Sequence, residues 1–500
     1  MGYEVAHLQL YPRGAMDKVS TFLFGFIAIA LIGCDKVDSC LNSGGCWDKV
    51  DSVCRKPEPN AQELCDRKTS FPPKPWREDY LALRDHISKS YANLEYILQY
   101  YKIDPYELNK KTINTINAAK TEDEAREALN QFVKTFRDGH FQLRKPEAKK
   151  NEDSNSSTQL ENTTKGKDAC TAMGFSSDKK FSFRFPVEGV KVLEKADGEF
   201  PYLVVDRGGA RVGIIRIADF RDEVYLLTCI ETWNKYAKSL KATCDKSCRD
   251  DFRYEALRGV LVDKFYAALT SVRKAKVKAL VIDLTSNGGG NDWVENITAL
   301  LTDKKLVCGR SEFIKHPHHV NNFSELLIDL KAEKKPDLDR IKSIAQQLKL
   351  AAETCDRTSI WTKKGFTLSC SAVGYSTGER CKYESKKFHG KVRYSGKLFF
   401  LVDDYTASAA EDIVARHLDS NTATIIGGHT HGSGCGYING GIKFSLPNSG
   451  LDVWIPDCVR ERADGTNEVV GIEPHIKMDM SKIKSPSFLG ELVDEIAKQL

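Results

Sequence analysis

Charge of one sign is scarce in this chain. Across 500 residues, 74 Lys and Arg stand against 69 Asp and Glu, a formal net charge of +5. The two signs are interleaved, so no basic stripe is available to track a phosphate backbone, and no nucleic-acid partner is expected. Long hydrophobic runs are equally scarce: Thr21 to Ile32 is apolar but too short for a comfortable membrane span. The glycine run Gly288-Gly289-Gly290 fits neither the P-loop nor the dinucleotide-binding spacing, so no nucleotide cofactor is expected. His316, His318 and His319 lie close together, but Pro317 interrupts them and no carboxylate pair is near in sequence. No metal site is expected there.

Cysteine, by contrast, is abundant, with 15 in the chain. That is many for a reduced cytosol and fits an oxidising compartment with several disulfides, whose connectivity spacing does not reveal. Cys244-x3-Cys248 and Cys40-x5-Cys46 match no zinc ligand set well, so they too are read as disulfide cysteines. Residues 16–34 have the order of an export signal: Lys18, the apolar run, then Leu31-Ile32-Gly33-Cys34. This ending resembles a bacterial lipoprotein signal. The resemblance implies cleavage before Cys34, lipid on Cys34, and an exported protein held to a membrane of the cell envelope by that lipid. Met16 is a second candidate start, and an uncleaved anchor helix is the alternative reading.

Length alone implies two or three domains. Residues 1–33 are the signal and 34–75 a Cys-rich polar tether, in which Asp-Lys-Val-Asp-Ser occurs at Asp35–Ser39 and again at Asp48–Ser52. Residues 76–145 read as a helical domain. Its helices are expected over Trp76–Lys102, Tyr106–Ala119 and Glu122–Phe136, the last with Thr121 as cap and Gly139 as terminator. Residues 146–180 are a polar linker or insertion. Residues 181–250 are rich in strands, at Phe181–Phe185, Val187–Leu193, Pro201–Val205 and Val212–Ile217. From 251 to 500 a larger α/β domain is expected, with a Cys-containing insertion near 304–395.

Two strand–turn–helix units stand out in that last region. Val277–Leu284 is a continuous apolar run of the kind found in doubly covered strands, and it leads into the glycine turn and a helix through Trp293 and Ile297. Phe399–Val402 is another, turning through Asp403-Asp404 into a helix with Ile413 and Val414 on one face. Ser408 sits at that second turn, where free backbone N–H groups and the helix dipole favour a negative oxygen. That placement suits a nucleophile, although a plain helix cap needs no more. Glycine at the first turn lets backbone N–H groups approach a reacting carbonyl.

In order along the chain come Asp138-Gly-His140, Asp283-Leu-x-x-Asn287-Gly-Gly-Gly290, Thr406-Ala-Ser-Ala-Ala-Glu411, Gly427-x-x-Thr430-x-Gly432 and Gly471-Ile-x-Pro474. This set resembles the serine peptidases of the C-terminal processing protease and tricorn-core family, over roughly Trp76 to Leu500. The resemblance implies a crotonase-like (ClpP-like) α/β catalytic domain with an N-terminal helical domain. It also implies a serine endopeptidase acting on peptides or unfolded proteins. One branch of the family uses a Ser–Lys dyad, but Ser433 stands at the lysine position here, and no lysine occurs between Ser408 and Lys443. The tricorn-like branch matches instead. It implies Ser408 as nucleophile, His140 as base, Glu468 as the acid acting directly or through another side chain, and Ala409 with Gly288 or Gly289 as oxyanion donors. His429 or His431 acting as base is a variant of this reading. Thr285 replaces the family's usual arginine and His475 its usual aspartate, and no PDZ carboxylate-binding loop is evident; the strands at 181–217 would be a reduced version. A non-catalytic ligand- or peptide-binding protein on the same fold is therefore the competing expectation. The sequence leaves the oligomeric state open.

Overall fold

The computed structural model describes residues 39–48, 53–56, 71–146, 160–240, 243–307, 309–332, 336–353, 355–363, 373–376, 391–437 and 440–500. The export signal, Cys34 and most of the tether lie outside them. Among the described residues, no helix is long and apolar enough to cross a membrane.

The centre is a seven-stranded sheet. Its strands are β1 (Lys191–Ala196), β2 (Tyr202–Arg207), β3 (Ala210–Arg216), β4 (Ala279–Asp283), β5 (Lys397–Val402), β6 (Thr424–Gly427) and β7 (Ile476–Lys477). Spatial order is β7-β6-β5-β4-β3-β2-β1. Strands β3 to β7 are parallel, and β1 and β2 add an antiparallel edge. The apolar runs are continuous because both faces are covered. Ile282, Phe400 and Ile425 face one core with Phe265 and Ile413, while Val281, Phe399 and Ile426 face another with Leu489 and Leu492.

Strands β2 and β3 correct the expected domain map. They do not form a separate strand-rich, PDZ-like region. Val212 pairs with Ala279 and Arg216 with Asp283 inside the main sheet. Leu203 and Val205 face one core and Val204 and Ile215 the other, as central strands do. Phe181–Phe185 forms no strand; Phe183 and Phe185 pack against the C-terminal helix core.

The helical domain comprises α1 (Lys74–Ser90), α2 (Leu94–Tyr100), α3 (Pro105–Ala118) and α4 (Glu122–Lys134). The single helix expected over Trp76–Lys102 is broken at Tyr91, whose backbone is extended (ψ 107°). Thr121 caps α4, accepting the Glu124 N–H at 3.2 Å. The left-handed residue that ends this helix is Arg137 (φ 51°), not Gly139. Gly139 is required by close approach: a Cβ there would lie 2.2 Å from the His431 ring and 2.5 Å from Ser433 Oγ. This domain shares a core with the C-terminal half, where Phe136, Phe141 and Leu129 pack with Leu451, Val453, Ile455 and Val469. A short strand, Gln142–Arg144, also pairs antiparallel with Asp452–Ile455.

Four disulfides are formed among the described residues: Cys40–Cys54, Cys170–Cys229, Cys244–Cys248 and Cys435–Cys458. The first spans a small hairpin of Cys46–Asp48 against Val53–Arg55 in the tether.

Candidate active site

Ser408 lies between β5 and the helix α5 (Ala409–Asp419) with φ 55° and ψ −117°. A non-glycine residue there is strained, by about 1–2 kcal/mol, and needs its backbone held. Its N–H donates to Glu411 Oε2 at 2.9 Å, and Arg460 Nη2 donates to its carbonyl at 3.0 Å. Glu411 is fully buried and also accepts from Thr430 Oγ1 (2.6 Å), Gly432 N (2.8 Å) and Ser433 N (3.0 Å). One carboxylate thus ties the Ser408 turn to the 430–433 loop.

The glycine turn lies directly beneath. Gly289 has φ 87°, and a Cβ on it would lie 2.6 Å from Ala407 O and 2.7 Å from Ala409 N and Ser408 Cβ. Its own N–H donates to Asn287 Oδ1 at 2.9 Å, so Gly289 is corrected from oxyanion donor to spacer. Among the described residues, the N–H groups of Gly288 and Ala409 donate to no protein acceptor, and both residues line the cavity that holds Ser408. Asn287 fixes the turn by donating from Nδ2 to Ile217 O at 2.9 Å.

His140 lines the same cavity, about 660 Å³ in volume. Its Nδ1 is 2.6 Å from the Ser433 carbonyl. A carbonyl only accepts, so Nδ1 carries the proton and, in the neutral ring, Nε2 carries the lone pair. No hydrogen bond joins the ring to the Ser408 hydroxyl among the described residues. Such contacts are often long before substrate binds. Tyr437 donates its hydroxyl to the His140 carbonyl and packs edge-on to the ring, 5.1 Å between centroids. Gly436 backs the ring so closely that a Cβ would lie 2.6 Å from Cε1. Asp138, buried, accepts the His140 N–H at 2.9 Å and hydrogen bonds from Tyr91 (2.8 Å) and Asn93 (3.0 Å). Burial raises its pKa. It positions the backbone of His140 and makes no hydrogen bond to the ring.

Glu468 lines the cavity but makes no hydrogen bond to His140. It pairs with Arg460, which also holds Ser408 O and, at 3.2 Å, Gly434 O. Burial, and less strongly the Asp412 carboxylate, push Glu468 up to about 7 against the pull of Arg460. Arg460 itself is held cationic by Glu468 and Asp412, which outweigh its burial. His429 and His431 do not line the cavity; His431 Nδ1 faces Asp404 O at 3.0 Å and His429 faces Glu473 at 3.9 Å. Both departures from the family pattern have structural partners. Thr285 joins Asp283 and the buried Arg216, supplied by the neighbouring strand β3, at 2.7 and 3.0 Å. His475 Nδ1 accepts the Ile425 N–H at 2.9 Å.

Sequence reasoning missed Arg460, whose arginine is one of many in charged segments, and the supporting roles of Asn287, Tyr437 and Cys435.

The family model for peptidase family S41 matches residues 211–478, more than half of the chain. The chain belongs to peptidase family S41. It is a peptide-bond hydrolase, and its substrates are peptides or proteins. No curated protein matches it by sequence. Among solved structures, mature CPAF is similar over 85% of this chain and 96% of its own, at 16% identity and a TM-score of 0.52. Mature CPAF complexed with lactacystin covers 85% and 98%, at 15% identity and a TM-score of 0.52. At these identities the likeness shows the fold of the peptidase and nothing finer.

Proposed function

We propose that this peptidase is a serine endopeptidase of the Ser–His type. Ser408 is the nucleophile, His140 the general base, and the N–H groups of Ala409 and Gly288 the oxyanion hole. The observation that carries this reading is the His140 Nδ1–Ser433 carbonyl hydrogen bond, which leaves a basic Nε2 in the Ser408 cavity.

The steps follow from that arrangement. Nε2 takes the Ser408 proton as Oγ attacks the scissile carbonyl, and the oxyanion gains two N–H donors. The imidazolium keeps its Nδ1–H on Ser433 O and returns the Nε2 proton to the leaving amine. A water then repeats the sequence on the acyl-enzyme. A backbone carbonyl carries no full charge, so it holds the tautomer but stabilises the imidazolium less than an aspartate would. Glu468 acts through Arg460 on the Ser408 main chain, as a positioning residue. Ser433 brings no amine, so the Ser–Lys alternative has no base.

The working context we infer is the cell envelope, with Cys34 as the lipid-bearing cysteine. The disulfides at the core of the catalytic half support an oxidising compartment. Peptide digests and fluorophosphonate labelling of wild type, Ser408→Ala and His140→Ala test the chemistry. Labelling should be lost in Ser408→Ala and fall at least about 1,000-fold in rate in His140→Ala. Equal digestion by all three would overturn it, and a folded wild type that takes no label would favour a binding protein. Palmitate incorporation lost in Cys34→Ala tests the anchor.

A further inference from the structure

The histidines that failed as a metal motif in the sequence acquire a carboxylate in the fold. Strand Arg310–Phe313 pairs antiparallel with Cys458–Glu461, with Phe313 opposite Cys458. Continuing that register, Ile314 N donates to Asp457 O at 3.0 Å. The chain then turns at Pro317 into a helix, Pro317–Ala332, whose first turn carries His318 and His319 over Asp457. Asp457 and His319 are fully buried, and the His318 side chain is 22% exposed.

His318 Nε2 lies 3.3 Å and His319 Nε2 3.8 Å from Asp457 Oδ2. One ligand atom from each of the three residues falls within 4.8 Å of the other two. Metal–nitrogen and metal–oxygen bonds of about 2.0–2.1 Å in a tetrahedron give ligand–ligand edges of about 3.3 Å. Of the three edges, His318–Asp457 already has this length, His319–Asp457 must close by about 0.5 Å, and the imidazole–imidazole edge lies within 4.8 Å, a gap that side-chain rotation would close on binding. Two imidazoles with one carboxylate suit a first-row transition metal. Calcium and magnesium want more oxygen ligands than this site offers.

We propose that His318, His319 and Asp457 form a binding site for a divalent transition metal, zinc foremost, with a water in the fourth position on the exposed side of His318. The bland alternative is an ion pair between Asp457 and a protonated imidazole. Against it, two rings rather than one converge on the same Asp457 oxygen, at 3.3 and 3.8 Å, where an ion pair needs one. The competing claim on His319 Nε2 is the Asp457 carbonyl at 3.2 Å, which the metal must displace.

The site is placed to brace the catalytic loop. Asp457 N donates to Gly436 O at 3.1 Å, and Cys458 is bonded to Cys435. Gly436 is the residue that backs the His140 ring. The metal would therefore pin the 304–395 insertion to the segment that holds His140. Binding itself does not depend on the proposed catalytic roles.

The test uses the full folded chain, stripped with chelator and titrated with cobalt(II) and zinc(II). One equivalent of cobalt should bind with the visible d–d absorption of a low-coordinate site, and zinc should displace it. His318→Ala and Asp457→Asn should each weaken binding at least about tenfold, and His429→Ala should not. Zinc should also slow amide exchange across residues 433–437 in wild type alone. If Asp457→Asn fails to fold, His318→Ala decides. Absence of saturable binding, or binding that survives His318→Ala, overturns the proposal.

Discussion

Glu411→Gln is the sharpest perturbation the site offers, because it changes one atom and no shape. Four donors converge on the two oxygens of this buried carboxylate: Ser408 N and Ser433 N on Oε2, Thr430 Oγ1 and Gly432 N on Oε1. A glutamine must turn its NH2 toward one of these pairs, whichever way it flips. Turned toward Ser408 N and Ser433 N, it leaves two N–H donors facing another donor; turned the other way, Thr430 Oγ1 can accept from it and Gly432 N alone is orphaned. Hydrogen bonds to a charged acceptor contribute about 1.5–3 kcal/mol each, so the loss is about 1.5–6 kcal/mol, according to the flip. Urea denaturation should show it as a lower midpoint at unchanged slope. Function should suffer beyond stability, since one pair holds the strained Ser408 backbone and the Ser433 segment that aims His140. Under conditions where the variant is still folded, kcat should fall at least about 100-fold with KM little changed. A variant less than about 1 kcal/mol destabilised, with wild-type kcat, would refute the claim that Glu411 assembles the site.

Other perturbations follow from the same contacts. Gly289→Ala puts a Cβ within 2.7 Å of Ser408 Cβ and Ala409 N at φ 87°, and should cost at least about 100-fold in labelling rate while the fold, checked by circular dichroism, survives. Replacing both Cys435 and Cys458 with serine releases a loop closed over 23 residues; loop entropy predicts about 3 kcal/mol lost by denaturant titration, and kcat should fall because Tyr437 lies in the released loop and Ser433 two residues before it. His417, fully buried on α5, is pushed down to about 3 by burial. The unfolded chain therefore takes up a proton near pH 6.5 that the native state refuses. Stability present above pH 6.5 is lost as pH falls from there toward 3, by about 2–3 kcal/mol at pH 4.5. His417→Phe should flatten that part of the pH–stability curve, and an unchanged slope would show that His417 does not set it.

What was legible in the sequence was whatever is encoded within one turn or one strand. The continuous apolar runs Val277–Leu284 and Phe399–Val402 announced buried strands, and the turns after them placed the glycines and Ser408. The Thr121 cap was legible for the same reason. What failed was every contact closed by tertiary pairing. Alternation could not say which sheet β2 and β3 join, because both of their faces are buried by elements far along the chain. The break at Tyr91 follows no local signal; it falls where the tyrosine hydroxyl reaches Asp138, 47 residues away. Arg460 was invisible because its roles, holding Ser408 O and Glu468, depend on a strand register.

The proposed base is the strongest case of this limit. His140 belongs to the helical domain by sequence, yet its ring is aimed by a carbonyl 293 residues downstream. What brings the two together is main-chain pairing: Leu143 opposite Val453 and Gln142 opposite Trp454, three and two residues beyond His140. Asp79 extends the same seam, accepting the N–H groups of Asn448 and Ser449 at 2.8 Å each, and Asn467 reaches Asn93 at 2.9 Å. With His140 as the proposed base, such a peptidase has no proton path until its helical domain has docked. On that proposal catalytic competence and domain docking share one set of contacts, and a fragment beginning after residue 145 would keep Ser408 and the proposed oxyanion donors but lack the proposed base.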